Sequence, residues 1–263
     1  MAKVNVVMGV YNGERYVRQA IESILSQTFS DFEFVIVDDA SRDKTRSILE
    51  EYKKRDKRVR VVLNEKNIGL TKSLNEGIQS SDGMYIARMD ADDICHPERL
   101  KLQAAFLDKN PNCGVVGSWY VKVDEQGKEL WRKKLPLKDE ELRSLLIKAN
   151  IFPHASVMLR RAALDKVGLY DESWKLTQDY ELWFRITSQY KIGVIPEFLL
   201  FSRTSGSSLT STRNREQIMC SLRAQRDAIK RGQYPKLAYV FLFPRLLSFL
   251  VPLSLRQSLK RFT

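Results

Sequence analysis

The sequence predicts an α/β fold built on a doubly wound, mostly parallel sheet. Three observations predict it. Short apolar runs alternate with helix-patterned segments through the first 110 residues. One run, "FEFVIVDD" at 32–39, is almost continuously apolar, as strands buried on both faces are. Three of the four runs end in turn residues or acids: Tyr11-Asn12-Gly13, Asp38-Asp39, and Asp90 through Asp93. Ligands of such sheets bind outside the carboxyl ends of the strands. Loops far apart in sequence are therefore expected to meet at one edge.

Residues 3–10, "KVNVVMGV", read as a first strand. Val17, Ala20, Ile21, Ile24 and Leu25 recur at helical spacing to about residue 27. A strand at 32–39 follows, then a helix bearing Ile48, Leu49 and Tyr52 on one face. Strand 59–64, a helix marked by Leu70, Leu74 and Ile78, and strand 84–89 continue the alternation. Pro97 suits the first turn of a helix running to about Asp108. Right-handed crossovers make this βαβαβαβ pattern parallel. After residue 110 the rhythm changes. A strand pair around Gly127 is expected, then a short helix in "DEELRSLLIK", a strand in "HASVMLRR", a helix over 178–189 and a strand in "YKIGVIPEFLLFSR". This half reads as a mixed-sheet region continuous with the first, with no linker between them.

The 43% hydrophobic content is that of a globular chain. Cys95, Cys113 and Cys220 are far apart and odd in number, which fits neither a metal-type spacing nor a disulfide framework. A reducing compartment, the cytoplasm, is expected. "MAKVNVVMGVYNGE" reads as a first strand and not as a signal peptide. The net charge of +12 is uneven: residues 213–263 hold eleven Lys or Arg against Glu216 and Asp227. That asymmetry gives the tail its own expected partner, an anionic surface.

"MDADD" crowds Asp90, Asp92 and Asp93 at a strand end. Half-buried carboxylates need a compensating cation. An all-oxygen set suits Mg or Mn, and magnesium leans on one or two carboxylates plus substrate phosphates. A solvated acidic turn is the plainer alternative, and this stretch alone does not choose.

The neighbouring stretches do. "VYNGERYV", "VDDASRD", "NIGLTKSLNEGI", "MDADDICHPERL" and "LTQDYELWFRI" follow one another in that order. Together they resemble family 2 glycosyltransferases of the GT-A fold over about residues 3–205. The resemblance implies a Rossmann-like central sheet flanked by helices, with a helical C-terminal extension. It implies a glycosyltransferase domain over 1–212, with a nucleotide-binding half to about 110 and an acceptor half to 212. It implies an inverting, non-processive transferase of hexosyltransferase type, using a nucleotide-diphosphate sugar and divalent Mn or Mg. On the same grounds Val10 and Tyr11 lie at the nucleotide base, with Glu14 just beyond. Asp39, beside Asp38, matches the acid that reads the base, typically uracil; an ionised carboxylate can accept the imide proton. Lys72 matches a position near base or phosphate. Asp90 and Asp92 fall on the nucleotide side, and Asp92 and Asp93 on the metal.

Inverting transfer needs one carboxylate to take the acceptor hydroxyl's proton. Asp179 in "LTQDYELWFRI" matches that base. Thr177 is the expected N-cap, and a first-turn site favours an ionised carboxylate. A purely helix-supporting Asp is the alternative. The family's Glu before this Asp is replaced by Gln178. Its downstream Arg-and-His pattern is reduced to Arg203 in "FSRTSGSSLTS", where Arg203, Ser205 or Ser207 would cover the diphosphate. The processive Q-x-x-R-W signature is missing. His154 is a further acceptor-side candidate, although a lone His is more often a local hydrogen-bonding residue.

"LAYVFLFPRLLSFLVPLSL" (237–255) holds 19 residues and one charge, Arg245. Pro244, Arg245 and Pro252 interrupt it, and cations flank both sides. A bent interfacial helical pair over 213–263 fits better than a spanning helix; an oligomer contact is the alternative. The resulting expectation is a peripheral enzyme at the inner face of the cell membrane. It would carry sugar to a saccharide or lipid-linked acceptor for cell-surface polysaccharide or glycolipid. Three other readings compete. A nucleotidyltransferase would want a Gly-rich phosphate loop, and "VYNGERYV" is a poor one. A nucleic-acid partner is not expected, because the cations surround an apolar tail. A non-catalytic nucleotide-sugar-binding protein would not need the retained acids.

Overall fold

The computed structural model describes residues 2–204 and 214–244. The first half alternates as expected: β1 (Val4–Val10), α1 (Val17–Leu25), β2 (Phe32–Asp38), α2 (Thr45–Arg55), β3 (Val59–Leu63), α3 (Leu70–Gln79) and β4 (Tyr85–Met89). Then come β5 (Ile94–Cys95), α4 (Arg99–Lys109), β6 (Cys113–Val123), β7 (Glu129–Lys133) and α5 (Asp139–Leu146). The chain continues through β8 (Met158–Arg160), α6 (Arg161–Val167), α7 (Gln178–Thr187), β9 (Lys191–Arg203) and α8 (Asn214–Lys230). Short 3-10 turns cover His154–Ser156 and Lys236–Leu242.

One sheet carries both halves, in the order β3-β2-β1-β4-β8-β6-β9-β5, with β7 paired to β6. β1 to β4 are parallel, whereas β8 runs antiparallel to both β4 and β6. Register fixes the functional edge. Val10 pairs with Asp38, Asp38 with Leu63, and Met8 with Met89, so the segments after β1, β2 and β4 emerge side by side.

Alternation along β1 divides the core. Val4, Val6, Met8 and Val10 pack with α1, α2 and α4, while Val7 faces α3, α7 and α8. α3 lies close to the sheet because Gly77 leaves room: a Cβ there would stand 2.7 Å from Val7. At the switch to antiparallel pairing the core is polar. The fully buried Arg99 donates to the carbonyls of Arg88 (2.8 Å) and Val157 (3.0 Å), and Gln103 to those of Val116 and Ser156. These bonds fasten the strands where the regular ladder changes direction.

Three details differ from the pattern reading. Only Met158–Arg160 of "HASVMLRR" is strand, because His154–Ser156 winds into a 3-10 turn. Helix α6, a single seven-residue stretch, is too short for its apolar period to show. β5 exists through its pairing with β9, a contact between segments about a hundred residues apart. Among the described residues no helix is long and apolar enough to cross a membrane. The expected tail helices fall only partly within them, as α8 and the turn at 236–242; Arg245 through Thr263, with Pro252, and the segment 205–213, with Ser205 and Ser207, lie outside.

Candidate functional site

The loops after β1 and β2 interlock. Asn12 N donates to Ser41 Oγ (3.0 Å), Gly13 N to Thr45 Oγ1 (2.8 Å) and Glu14 N to Asp43 Oδ2 (3.0 Å). In return Arg42 N donates to Asn12 Oδ1 and Lys44 N to Glu14 Oε2. Glu14 is thus occupied in joining two loops. Asp43 Oδ1 accepts Thr45 N at the start of α2.

Asp38 and Asp39 are both buried. Asp38 accepts Ser41 N (3.1 Å). Asp39 is better supplied: Oδ1 accepts Asn64 Nδ2 (2.9 Å) and Ile68 N (2.8 Å), and Oδ2 accepts Gly69 N (2.9 Å). It thereby holds the "NIGL" loop that leads into α3. Tyr11 is exposed beside the buried Val10, and Lys72 is exposed in the first turn of α3. Val10, Tyr11, Asp38, Asp39 and Lys72 therefore gather at one edge.

The β4 end differs. Arg88 is 2% exposed and its Nη2 pairs with Asp90, while its Nε and Nη1 find no partner among the described residues. Asp93 is buried, and its Oδ1 accepts Arg203 N (2.8 Å). Burial, with the charges of Asp90 and Asp92 adding to it, lifts the Asp93 carboxyl well above the ordinary range. Burial, then the charge of Asp90, pushes Asp92 up to about 6. Lys122, half-buried and bonded to Ser202 Oγ (3.0 Å), is a nearby cation that opposes both shifts without cancelling them.

Among the described residues no group of three or more His, Cys, Asp or Glu side chains is arranged to hold a metal by itself. The donor chemistry nevertheless fits a hard divalent ion. The carboxylates are short of positive charge, and such an ion takes one or two of them and completes its shell with water and phosphate oxygens.

Arg203 is corrected by its surroundings. Its guanidinium is buried and spent on Asp92 O (3.0 Å), Glu125 O (2.6 Å) and Gln19 Oε1 (3.0 Å), and it lies over the Tyr16 ring. It fastens the acidic loop to β6 and α1 and is not free to clamp a diphosphate. His154 is likewise engaged: its Nε2 lies 2.7 Å from Tyr170 Oη, and its ring meets the edges of Tyr170 and Trp183. Burial, reinforced by the charge of Arg88, keeps it neutral.

Asp179 opens α7, with the buried Gln178 before it. Its Oδ2 accepts Asn150 Nδ2 (2.7 Å). The Thr177 side chain makes no cap hydrogen bond; its buried Oγ1 finds no partner among the described residues, and its φ is 58°. Burial raises the Asp179 pKa; the Asn150 bond and the backbone N–H groups of the helix start lower it, as expected there, but with the charge of Asp90 added the net shift is upward. Asp90 acts on Asp179 only because the fold brings the end of β4 near the start of α7. Asn12 (φ 51°), Ala40 (φ 62°) and Thr177 are non-glycine residues in the left-handed region; Ala40 follows Asp39, and Thr177 stands two residues before Asp179. Such local strain collects at functional sites.

Sequence reasoning missed Arg88, Lys122, Asn150 and Tyr170. For Arg88 a signal existed, a charge inside the apolar run "YIARM". The other three become neighbours of the site only through the fold.

A mixed sheet with an acidic strand end facing a carboxylate on a later helix is the GT-A glycosyltransferase architecture. Solved structures agree. The chain superimposes on Staphylococcus aureus TarS 1-349 in complex with UDP-GlcNAc with a TM-score of 0.73, 23% identity, and coverage of 94% of this chain and 73% of that one. For a Pyrobaculum calidifontis mannosyltransferase in complex with GDP-Man and Mn2+ the TM-score is 0.69, with 17% identity, 93% of this chain and 68% of that one. The model of glycosyl transferase family 2 matches residues 5–168. An uncharacterized glycosyltransferase of Methanocaldococcus jannaschii is 39% identical over 75% of this chain and 69% of its own length. The amylovoran biosynthesis glycosyltransferase AmsE of Erwinia amylovora is 30% identical over 97% of each chain. The chain belongs to glycosyl transferase family 2.

Proposed function

We propose that this enzyme transfers a sugar, with inversion, from a UDP-sugar to a saccharide or lipid-linked acceptor in cell-surface polysaccharide or glycolipid synthesis. One observation supports the reading: Asp179 and Asp90 lie near enough for the charge of Asp90 to act on Asp179, and both bear on the buried Tyr170 hydroxyl. In the proposed step the acceptor oxygen attacks the anomeric carbon as its proton passes to Asp179. The bond from that carbon to the diphosphate oxygen breaks, and the nucleoside diphosphate leaves with the electron pair. A carboxylate with a pKa raised by burial is the better base near neutral pH.

Asp92 is the carboxylate best suited to hold Mn or Mg, with Asp90 and Asp93 beside it. A bound divalent ion would neutralise charge on the departing diphosphate. Tyr11, Val10 and Lys72 would border the nucleotide. Asp38 and Asp39 would hold the loops around it, and a base imide N–H donating to Asp39 would be added to its three protein donors. The UDP-GlcNAc complex of TarS and the Mn2+ complex of the mannosyltransferase support a nucleotide-sugar donor and a divalent ion. AmsE's role in amylovoran biosynthesis supports a polysaccharide product. The test is a screen of UDP- and GDP-sugars with Mn2+ or Mg2+, read as nucleotide release and product stereochemistry. Metal-dependent UDP release with inverted product is expected. Retention of configuration, or release indifferent to metal, counts against the reading.

A further inference from the structure

We propose that residues 236–244 dock this enzyme on an anionic lipid surface, and that the surface adjoins the acceptor side of its cleft. The acceptor half of this statement rests on the transferase reading; the docking half does not.

The 3-10 turn Lys236–Leu242 is anchored by Ala238 and Leu242, which enter the core. Its other apolar side chains face outward. Leu237 is 80% exposed and Val240 and Phe243 are more than half exposed, with Tyr239 and Phe241 beside them. So many large apolar groups on one short exposed segment make a contact surface. Lys148, Lys230, Arg231 and Lys236 are exposed on the same and adjoining segments. In sequence, residues 213–263 hold eleven Lys or Arg against two acids. Apolar groups that enter the acyl boundary, together with cations that meet anionic headgroups, are the two requirements of interfacial binding. A second copy of this chain is the poorer occupant, since a two-fold contact would oppose the same cations.

The position of the patch links it to Asp179. Gln225 Nε2 of α8 donates to Ile147 O (2.6 Å). The next residue, Lys148, lies 4.9 Å from the Phe241 ring centre. Two residues on, Asn150 donates to Asp179. Tyr234, just before the patch, packs on Phe184 of α7 and donates to Arg143 O. The segment 147–150 therefore touches the apolar patch at one end and Asp179 at the other. A lipid-linked acceptor held in that surface would present its hydroxyl near Asp179.

The test uses the full chain and vesicles of phosphatidylcholine with or without phosphatidylglycerol. A variant carrying Leu237→Glu, Val240→Glu and Phe243→Glu changes only exposed side chains, and its melting curve checks the fold. Co-sedimentation with anionic vesicles is expected for the wild type, to fall roughly tenfold or more in the variant, and to weaken with salt. Hydrogen exchange should slow at 147–150 and 236–244 when anionic vesicles are added. Equal vesicle binding by the variant overturns the patch. Protection that falls instead on the exposed Leu130–Trp131 face overturns the orientation. A wild-type dimer that the variant makes monomeric, with no vesicle binding by either, assigns the face to a second copy and defeats the proposal. Calorimetry with UDP and Mn2+ on the same samples separates these failures from failure of the transferase reading.

Discussion

Two strand ends in this protein look alike in sequence and differ in state. β2 ends in Asp38-Asp39, and β4 runs into Asp90, Asp92 and Asp93; both carry buried carboxylates at the same sheet edge. Asp39 accepts three hydrogen bonds from the 64–69 loop. Burial first, and then the charge of its neighbour Asp90, push Asp92 up to about 6. A buried carboxylate is stabilised as an anion when backbone N–H groups point at it, and destabilised when other carboxylates do. The first pair is finished by the fold. The second is left short of positive charge, which is the condition that makes a cation bind.

Asp179 extends the comparison to a half-buried carboxylate on α7, and it carries the largest expected effect. Asp179→Asn should lower kcat by about 10²–10⁴-fold, the usual range for a general base. UDP affinity and melting temperature should change little. Steady-state turnover and calorimetry on one preparation check this; near-normal turnover would move the base elsewhere.

Asp39→Asn tests the finished end. Its amide would turn an N–H group against Gly69 N or the other loop donors. One lost and one opposed hydrogen bond in a buried site cost about 1–3 kcal/mol. At about 2–4 °C per kcal/mol, a melting temperature several degrees lower is expected. If stability is unchanged, Asp39 is not what holds the loop.

Asp92→Asn should do the opposite. It removes a carboxylate that burial makes costly to ionise, so the metal-free melting temperature at pH 7 should hold or rise. Mn2+-dependent UDP affinity should fall by at least about tenfold, the lower end for losses around metal sites. Unchanged affinity in this variant would remove Asp92 from the proposed metal site.

The smallest effect is a pH slope. An unfolded aspartate titrates near about 3.9, and folded Asp92 at about 6. Between these values the folded chain keeps a proton that the unfolded chain has lost. Stability from this group is therefore present at low pH and disappears as pH rises through about 6. Melting temperatures of metal-free wild type, read against Asp92→Asn to cancel other groups, should show that decline. A flat difference would mean that the β4 end is as well compensated as the β2 end.

Much of this was legible in residue order. Apolar runs with a period of two or near-continuous burial predicted β1 to β4, because a parallel strand must be apolar on both faces. "MDADD" predicted a need for positive charge, because three close carboxylates repel wherever they sit. Asp179 was found only through its accompanying motifs, since a first-turn aspartate is ordinary in any helix. The fate of individual side chains was not legible. Arg203 looked like a free cation, yet it reaches Asp92 O and Glu125 O because β9 lies between β5 and β6. His154 read as an acceptor-side candidate or, more commonly for a lone His, a local hydrogen-bonding residue; only the fold showed its partner, Tyr170. Asp39 and Asp92 read alike until the 64–69 loop supplied donors to one and not to the other. The sequence by itself determined most of the elements, the sheet class and which residue types could do chemistry, because these follow from local period and side-chain charge. Only the tertiary structure decided which carboxylates are satisfied and which are left in need of a cation, because that depends on donors arriving from segments distant in the chain.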